Sequence, residues 1–334
     1  MDSRLEKVRG GGSHSCNSSS TITSRQTEWP RPSASSAAVR LHYSLNHLTR
    51  TGNLGTAILK SLLNTQTHVF THYIACVGSD SSKERLRVQF PDFIDSNLSI
   101  SVNDNFNAIK DADVVILALD PSLIRAELSK PRIAEALDGK LIISVAAGWT
   151  VQGLEDSIYQ NTPYPPAEKP SIIRTLPNIA AQVSQSLTAI EVDPASPPRE
   201  EDLALTESIF SAVGKTLRVP PSLIDATTAV AGSTPAMFAV LVDAMIDAAV
   251  AVGVPREMAS GMVLQAMRGS AEMMQGGVTP AQLRDQGTSP EGCTIGGLMV
   301  MEERGVRGGV GRALREAVSI SRAMDGDTHV NDTR

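Results

Sequence analysis

The sequence predicts an α/β protein, a doubly wound and mainly parallel sheet followed by an all-helical region. Three observations carry this. From Gly52 onward, apolar runs of strand length alternate with helical periods, the rhythm of repeated strand–helix–strand units. Runs such as Val114–Leu119 (VVILAL) are apolar throughout, as strands covered on both faces must be. After Pro220 the strand signals stop, and Ala- and Met-rich helical periods continue towards the end.

The elements follow in order. Residues 1–49 are rich in Ser, with several Arg, few acids and no apolar stretch of a secretory signal. They are expected to be a disordered or misannotated extension, with a mitochondrial transit segment as the alternative. Leu41–Thr49 (LHYSLNHLT) is too polar to read as a buried strand, so the first strand of the sheet is expected to be missing or degraded. Helix Leu54–Leu63, strand Tyr73–Val77, helix Ser82–Phe90 and strand Leu98–Val102 come next. A short helix, strand Val114–Leu119, helix Pro121–Leu137 and strand Leu141–Ala147 complete the regular alternation. Ile172–Leu176, Leu187–Val192 and Thr216–Val219 extend the sheet, which gives a sheet domain over 50–219 and a helical domain over 220–334. Pro235–Val252 is apolar around most of its circumference, so it must be buried inside the domain or in a subunit interface, and a homodimer or higher oligomer is expected.

Composition narrows the function. A chain of 334 residues with 41% hydrophobic and 20% charged residues has room for a sizeable core. Its net charge of -6 argues against tracking nucleic-acid phosphates, and no run approaches the roughly 18 consecutive apolar residues of a membrane span. A soluble protein with a small-molecule substrate, and with neither nucleic acid nor membrane as partner, is expected. The cysteines, Cys16, Cys76 and Cys293, are odd in number and far apart, so no metal site is expected, and a reducing, cytoplasmic compartment fits them.

The first chemical motif is Arg50-Thr-Gly-Asn-Leu-Gly55, which keeps the second and third glycines of the dinucleotide-binding G-x-G-x-x-G turn and has Arg50 at the first. Those glycines permit close backbone approach to a pyrophosphate at a helix N-terminus. Strand Tyr73–Val77 ends about twenty residues on, where an NAD-specific protein places a carboxylate. Here the chain has Gly78-Ser79, then Asp80 and the bases Lys83, Arg85 and Arg87. A hydroxyl near bases suits a 2′-phosphate, so NADPH is expected, with NADH as the alternative. The strand ends Ala118-Leu119-Asp120-Pro121 and Val145-Ala146-Ala147-Gly148 would lie along the same ligand crevice.

Ser289 followed by Pro290 has the form of a helix cap and first turn, whose unpaired N–H groups attract an anion. Gly292 would let a ligand approach the backbone, and Thr294 can exchange one hydrogen bond with it. Arg174–Asn178 (RTLPN), Thr227–Pro255 and Leu283–Arg307 (LRDQGTSPEGCTIGGLMVMEERGVR) resemble the pyrroline-5-carboxylate reductases in order and spacing, and the likeness runs from Gly52 to about Met324.

That resemblance implies a Rossmann-like domain, a helical dimerisation domain, and reduction of 1-pyrroline-5-carboxylate to L-proline by NAD(P)H. It implies that Gly52, Asn53, Leu54 and Gly55 form the pyrophosphate turn, and that Gly78 or Ser79 meets the adenosine ribose or its phosphate. Asn105, Ala118, Leu119, Asp120, Pro121, Val145, Ala146 and Ala147 would line the rest of the cofactor. The substrate carboxylate would sit on Ser289, Gly292, Cys293 and Thr294, with the Thr294 hydroxyl near the ring nitrogen as the catalytic contact. The chain departs from the family pattern at Asp120, where Lys is usual, at Glu291, where Gly is common, and at Cys293, where Thr or Ala is common. Two other readings are a non-catalytic homodimeric relative with impaired cofactor binding, and a reductase of a related cyclic imine or a β-hydroxyacid. Thr234–Val252 contains no Lys to serve as the relay a β-hydroxyacid dehydrogenase requires.

Overall fold

The computed structural model describes residues 40–45, 53–65, 70–94, 96–161 and 169–324, with the backbone alone for 40–45 and Asn53. The sheet strands are β1 (Arg40–Leu45), β2 (His72–Val77), β3 (Leu98–Val102), β4 (Val114–Leu117), β5 (Leu141–Ser144), β6 (Ser171–Leu176), β7 (Ser186–Glu191) and β8 (Gly214–Val219). Between them run α1 (Asn53–Asn64), α2 (Asp80–Gln89), α3 (Asn105–Lys110), α4 (Pro121–Leu128), α5 (Ile133–Ala136), α6 (Val151–Tyr159) and α7 (Glu200–Ser211). The spatial order is β3-β2-β1-β4-β5-β6-β7-β8, and only the β6–β7 pair is antiparallel.

The expected absence of a first strand is corrected. Arg40–Leu45 pairs in parallel with β2 on one side, Leu41 opposite Tyr73, and with β4 on the other, Leu41 opposite Val114. The sheet therefore begins about ten residues before the expected boundary at residue 50. Two apolar neighbours offer both rows of backbone partners at once, and this context outweighs the weak strand preference of a polar hexapeptide. The predicted helix Pro121–Leu137 is also two helices, because Pro131 cannot continue α4 and Arg132 takes a left-handed φ of 68° before α5.

Both faces of the sheet are covered, and successive residues serve opposite sides. Val114 and Ile116 of β4 join α1, α2 and α7 in one cluster, whereas Val115 and Leu117 join α4, α5 and α6 in the other. Helix α1 contributes Ala57, Ile58, Leu59, Leu62 and Leu63, all buried on one side at helical spacing.

The rest is helical: α8 (Pro221–Thr227), a π-helical turn (Thr228–Ser233), α9 (Thr234–Ala251), α10 (Arg256–Gln275), α11 (Pro280–Gln286), α12 (Cys293–Glu303) and α13 (Val306–Ala323). Pro221–Ala251 runs as 31 continuous helical residues, long and apolar enough by composition to cross a membrane. Of α9 only Ile246 is buried, while Val240 is 71% exposed and Met245 50%. Of the two burials expected for Pro235–Val252, one inside its own domain is not what the single chain provides.

Candidate active site

Strands β1 to β5 are parallel, so their carboxyl ends open on one edge, and the order reverses between β1 and β4. A crevice forms at such a switch point. Gly78 and Ser79 follow β2, Asn105 follows β3, Ala118–Pro121 follow β4, and Val145–Ala147 follow β5, which brings these predicted residues onto a single edge. Gly52 lies outside the described residues. Asn53 opens α1 behind β1, with Leu54 and Gly55 in the first turn and Gly55 buried.

The donors on this edge suit a phosphate-rich cofactor. Helices α1, α2 and α4 all begin here, each presenting unpaired N–H groups and the positive end of its dipole. Ser79 caps α2, accepting from the Ser82 backbone at 3.3 Å, and its hydroxyl also meets that of Ser82 at 2.8 Å. Asp120 caps α4 and accepts from the Ser122 hydroxyl at 2.6 Å and from its backbone N–H at 2.9 Å. These two bonds, the hydroxyl first, hold its carboxyl below the usual aspartate range. Asn105 is buried and donates to Glu127 at 2.8 Å, so its amide is oriented before any ligand arrives. Leu119, Val145 and Ala146 are buried and Ala118 and Ala147 half-buried.

The loop after β5 is fixed from two sides. Trp149 donates through Nε1 to the Pro121 carbonyl at 2.9 Å. Gly148 has φ of 76°, and a Cβ there would lie 3.2 Å from that of Met324, just beyond α13. Sequence reading missed this contact, since nothing local in the sequence pairs residues so far apart. It also gave Asn178 no role. The Asn178 side-chain amide donates to the Ala231 carbonyl of the π-helical turn at 2.8 Å, and its backbone N–H donates to the Ser186 hydroxyl at 2.9 Å. The short Pro-Asn segment after β6 is the only signal that could have flagged it.

The predicted substrate residues lie apart from that edge, between α11 and α12. Ser289 does not cap α12. Its carbonyl accepts from Gly292 N–H at 3.0 Å in a turn, and Gly292 is the cap. The turn needs Gly292, because a Cβ there would approach the Ser289 hydroxyl to 2.5 Å and its carbonyl to 3.0 Å. Glu291 sits at φ of 61°, a left-handed backbone that favours glycine, and its side chain is exposed. Cys293, Thr294 and Ile295 therefore form the first turn of α12, with Cys293 and Thr294 exposed. Helix α12 packs chiefly on α13, and a cavity of about 880 Å³ opens beside it, bounded by α9, α11 and α13. The pairs Arg284–Asp285 at 2.8 Å and Arg307–Glu302 at 2.7 Å line its mouth. Among the described residues, no group of three or more His, Cys, Asp or Glu is placed to hold a metal ion.

Residues 221–324 match the family model for pyrroline-5-carboxylate reductase dimerisation, and residues 50–148 match that for NADP oxidoreductases, coenzyme F420-dependent. The chain is 36% identical over 304 residues to the pyrroline-5-carboxylate reductase of Lophium arboricola, covering 85% of this chain and 94% of that one. It belongs to the pyrroline-5-carboxylate reductase family. The Neurospora crassa pyrroline-5-carboxylate reductase is 33% identical over 314 residues, covering 85% of this chain and 94% of that one. Among solved structures, the 1-pyrroline-5-carboxylate reductase of Streptococcus pyogenes is similar with a TM-score of 0.69 and 25% identity, covering 86% of this chain and 99% of that chain. The Plasmodium falciparum pyrroline carboxylate reductase, solved with NADP bound, has a TM-score of 0.70 at 23% identity, covering 86% and 98%. In a pyrroline-5-carboxylate reductase the apolar stretch Pro221–Ala251 falls within the dimerisation region, which accounts for its exposed face in a single chain.

Proposed function

We infer that this chain reduces 1-pyrroline-5-carboxylate to L-proline with NADPH, working as a homodimer. The carrying observation is the α12 N-terminus: an exposed helical first turn with free N–H groups and Thr294 in reach, held open by a glycine that no other residue could replace without shifting Ser289. Membership of the family supports the reaction.

The bound nicotinamide supplies a hydride. The chain's own residues bind and orient. The first-turn N–H groups of Cys293, Thr294 and Ile295 hold the substrate carboxylate, where the helix dipole also favours an anion. The Thr294 hydroxyl fixes the ring nitrogen. A protonated cyclic imine is already electrophilic at carbon, so hydride addition there, with the π electrons moving to nitrogen, gives the secondary amine without a protein nucleophile. Gly78 and Ser79, with the N-terminus of α2, hold the ribose 2′-phosphate, and the α1 turn holds the pyrophosphate. Cys76 and Cys293 are free thiols, which supports a cytoplasmic location.

The loop Ser289–Thr294 is exposed, with its helix packed chiefly on α13, and the α9 face is open. A second copy covers that face and brings its loop to the cofactor edge of the first. NADPH absorbance followed with purified protein and 1-pyrroline-5-carboxylate tests this. Thr294→Ala should lower kcat/KM by about 10- to 100-fold, the worth of a hydrogen bond to a charged group, and Gly52→Asp should abolish cofactor binding. Mixing the two variants should restore part of the activity, since a hybrid dimer then holds one intact site. No turnover by the wild type, or turnover indifferent to both changes, sinks the assignment.

A further inference from the structure

Among the described residues, the least satisfied buried charge is Arg174. It is 4% exposed, it donates through Nη1 to Glu191 Oε2 at 2.7 Å, and its Nε and Nη2 are buried without a hydrogen-bond partner. Buried donors of this kind are rare and call for a cause. Their place in the fold supplies one. Arg174 is level with Ser144, the last residue of β5, whose chain continues into Val145–Ala147 on the cofactor edge. Continuing the β6–β7 register from Thr175 opposite Ile190 puts Arg174 opposite Glu191, which in turn is level with Val219, the last residue of β8, one residue short of α8.

On the same face Leu176, Ala189, Val219 and Ile224 of α8 form a small cluster, and Ala147 packs against it. Two further carboxylates act on Glu191 besides its partner: Asp225 of α8 and Asp193 just after β7. Four residues past Arg174, Asn178 holds the π-helical turn that follows α8. The buried guanidinium thus lies between the segment beneath the cofactor and the first helix of the region that carries the substrate loop.

We propose that Arg174 is a positioning residue for hydride transfer: Glu191 anchors it, and its Nε and Nη2 are donors reserved for the Asp225 carboxylate when α8 settles into its working place. The proposal rests on the reductase reading given above. In it, the Arg174–Asp225 contact fixes α8, and with it the π-helical turn and α9, relative to Val145–Ala147. Losing the contact leaves each half able to bind its ligand but misaligns the two. Misplacement by about 1 Å is enough to cost on the order of 100-fold in rate.

The test is a double-mutant cycle of Arg174→Met and Asp225→Asn in the full chain, with Arg174→Lys as the milder variant that keeps a charge for Glu191 and drops the planar fork. NADPH oxidation is followed with 1-pyrroline-5-carboxylate, NADPH affinity by fluorescence, assembly by light scattering, and alignment by the kinetic isotope effect with NADPH deuterated at the transferred position. Arg174→Met should lower kcat by about tenfold or more and raise the isotope effect, with KM for NADPH within about twofold. Arg174→Lys should fall between, and the double variant should be no worse than Arg174→Met alone. Additive losses, an unchanged kcat, or losses that follow a fall in Tm or in dimer content would overturn the proposal. An inactive wild type overturns the reductase reading and this proposal with it, whereas an active wild type with an indifferent Arg174→Met overturns this proposal alone.

Discussion

In the sheet half of the molecule, every residue of β4 and β5 is buried and both faces are covered by helices of the same chain. In the helical half, α9 buries a single residue and α12 none, although most residues of both are apolar. The two halves follow the same rule of burial but meet it with different partners. One is completed by its own chain, whereas the other matches a dimerisation region and has the capacity to be completed by a second copy. A hydrophobic pattern therefore says that a face will be covered without saying by which molecule.

The sharpest way to break this comparison is to charge the open face. Val240 is 71% exposed and Met299 68%, so a Val240→Asp/Met299→Asp double variant should leave the single chain's own packing intact. In a two-fold dimer each unpaired carboxylate is buried twice, at several kcal/mol per ion. The expected result is monomers by light scattering and loss of more than about 100-fold in turnover, with NADPH still bound within about threefold by fluorescence titration. Cofactor binding that disappears along with the dimer would show that the sheet half is not self-sufficient.

The same division governs what could be read from the sequence. Strands β2 to β5 and their helices were legible because their periodicity records burial inside one chain, and the carboxyl-edge rule then placed Gly78–Ser79, Ala118–Pro121 and Val145–Ala147 together. Arg40–Leu45 was not legible, since its strand state comes from its two neighbours rather than from its own residues. The split of Pro121–Leu137 is signalled in the sequence by Pro131 alone. At the substrate loop, Ser289-Pro290 imitates a cap, but the left-handed Glu291 inserts a turn first, and a φ value is not written in residue type unless glycine stands there. The contacts Gly148–Met324 and Asn178–Ala231 join distant positions, and nothing in a local pattern records them.

The turn offers a sharper, intermediate test, because two substitutions should move it in opposite directions. Gly292→Ala places a Cβ 2.5 Å from the Ser289 hydroxyl, which can rotate away, and 3.0 Å from its carbonyl, which cannot move without shifting the backbone. KM for the imine acid should rise by about tenfold with the KM for NADPH unchanged, a loss of about 1.4 kcal/mol confined to one ligand. Glu291→Gly releases a left-handed non-glycine residue, a strain of about 1–2 kcal/mol, and removes a negative charge beside the anion site. It should raise Tm by a few degrees and lower the same KM. If both variants weaken substrate binding alike, the Glu291 side chain contributes a contact that outweighs its charge.

The smallest effect is expected on the sheet edge, where the chain completes its own structure. Asp120→Asn keeps an acceptor for the Ser122 backbone and so keeps the α4 cap, but removes a carboxylate from a helix N-terminus on the predicted cofactor edge. Asp120 is largely solvated, so the lost repulsion is screened by water and salt, and NADPH should bind about two- to threefold more tightly at low ionic strength. The pH dependence identifies the cause. Because the two Ser122 bonds hold the folded carboxyl below its unfolded value, both the capping stability and the repulsion are present above the ordinary aspartate range. Both are lost as pH falls through that depressed value. Wild type and Asp120→Asn should therefore differ in NADPH affinity at neutral pH and converge in acid, in fluorescence titrations run at low salt. A difference that persists below the aspartate range would mean that the substitution acts through the shape of the cap, and that the sheet edge is less independent of its details than its burial suggests.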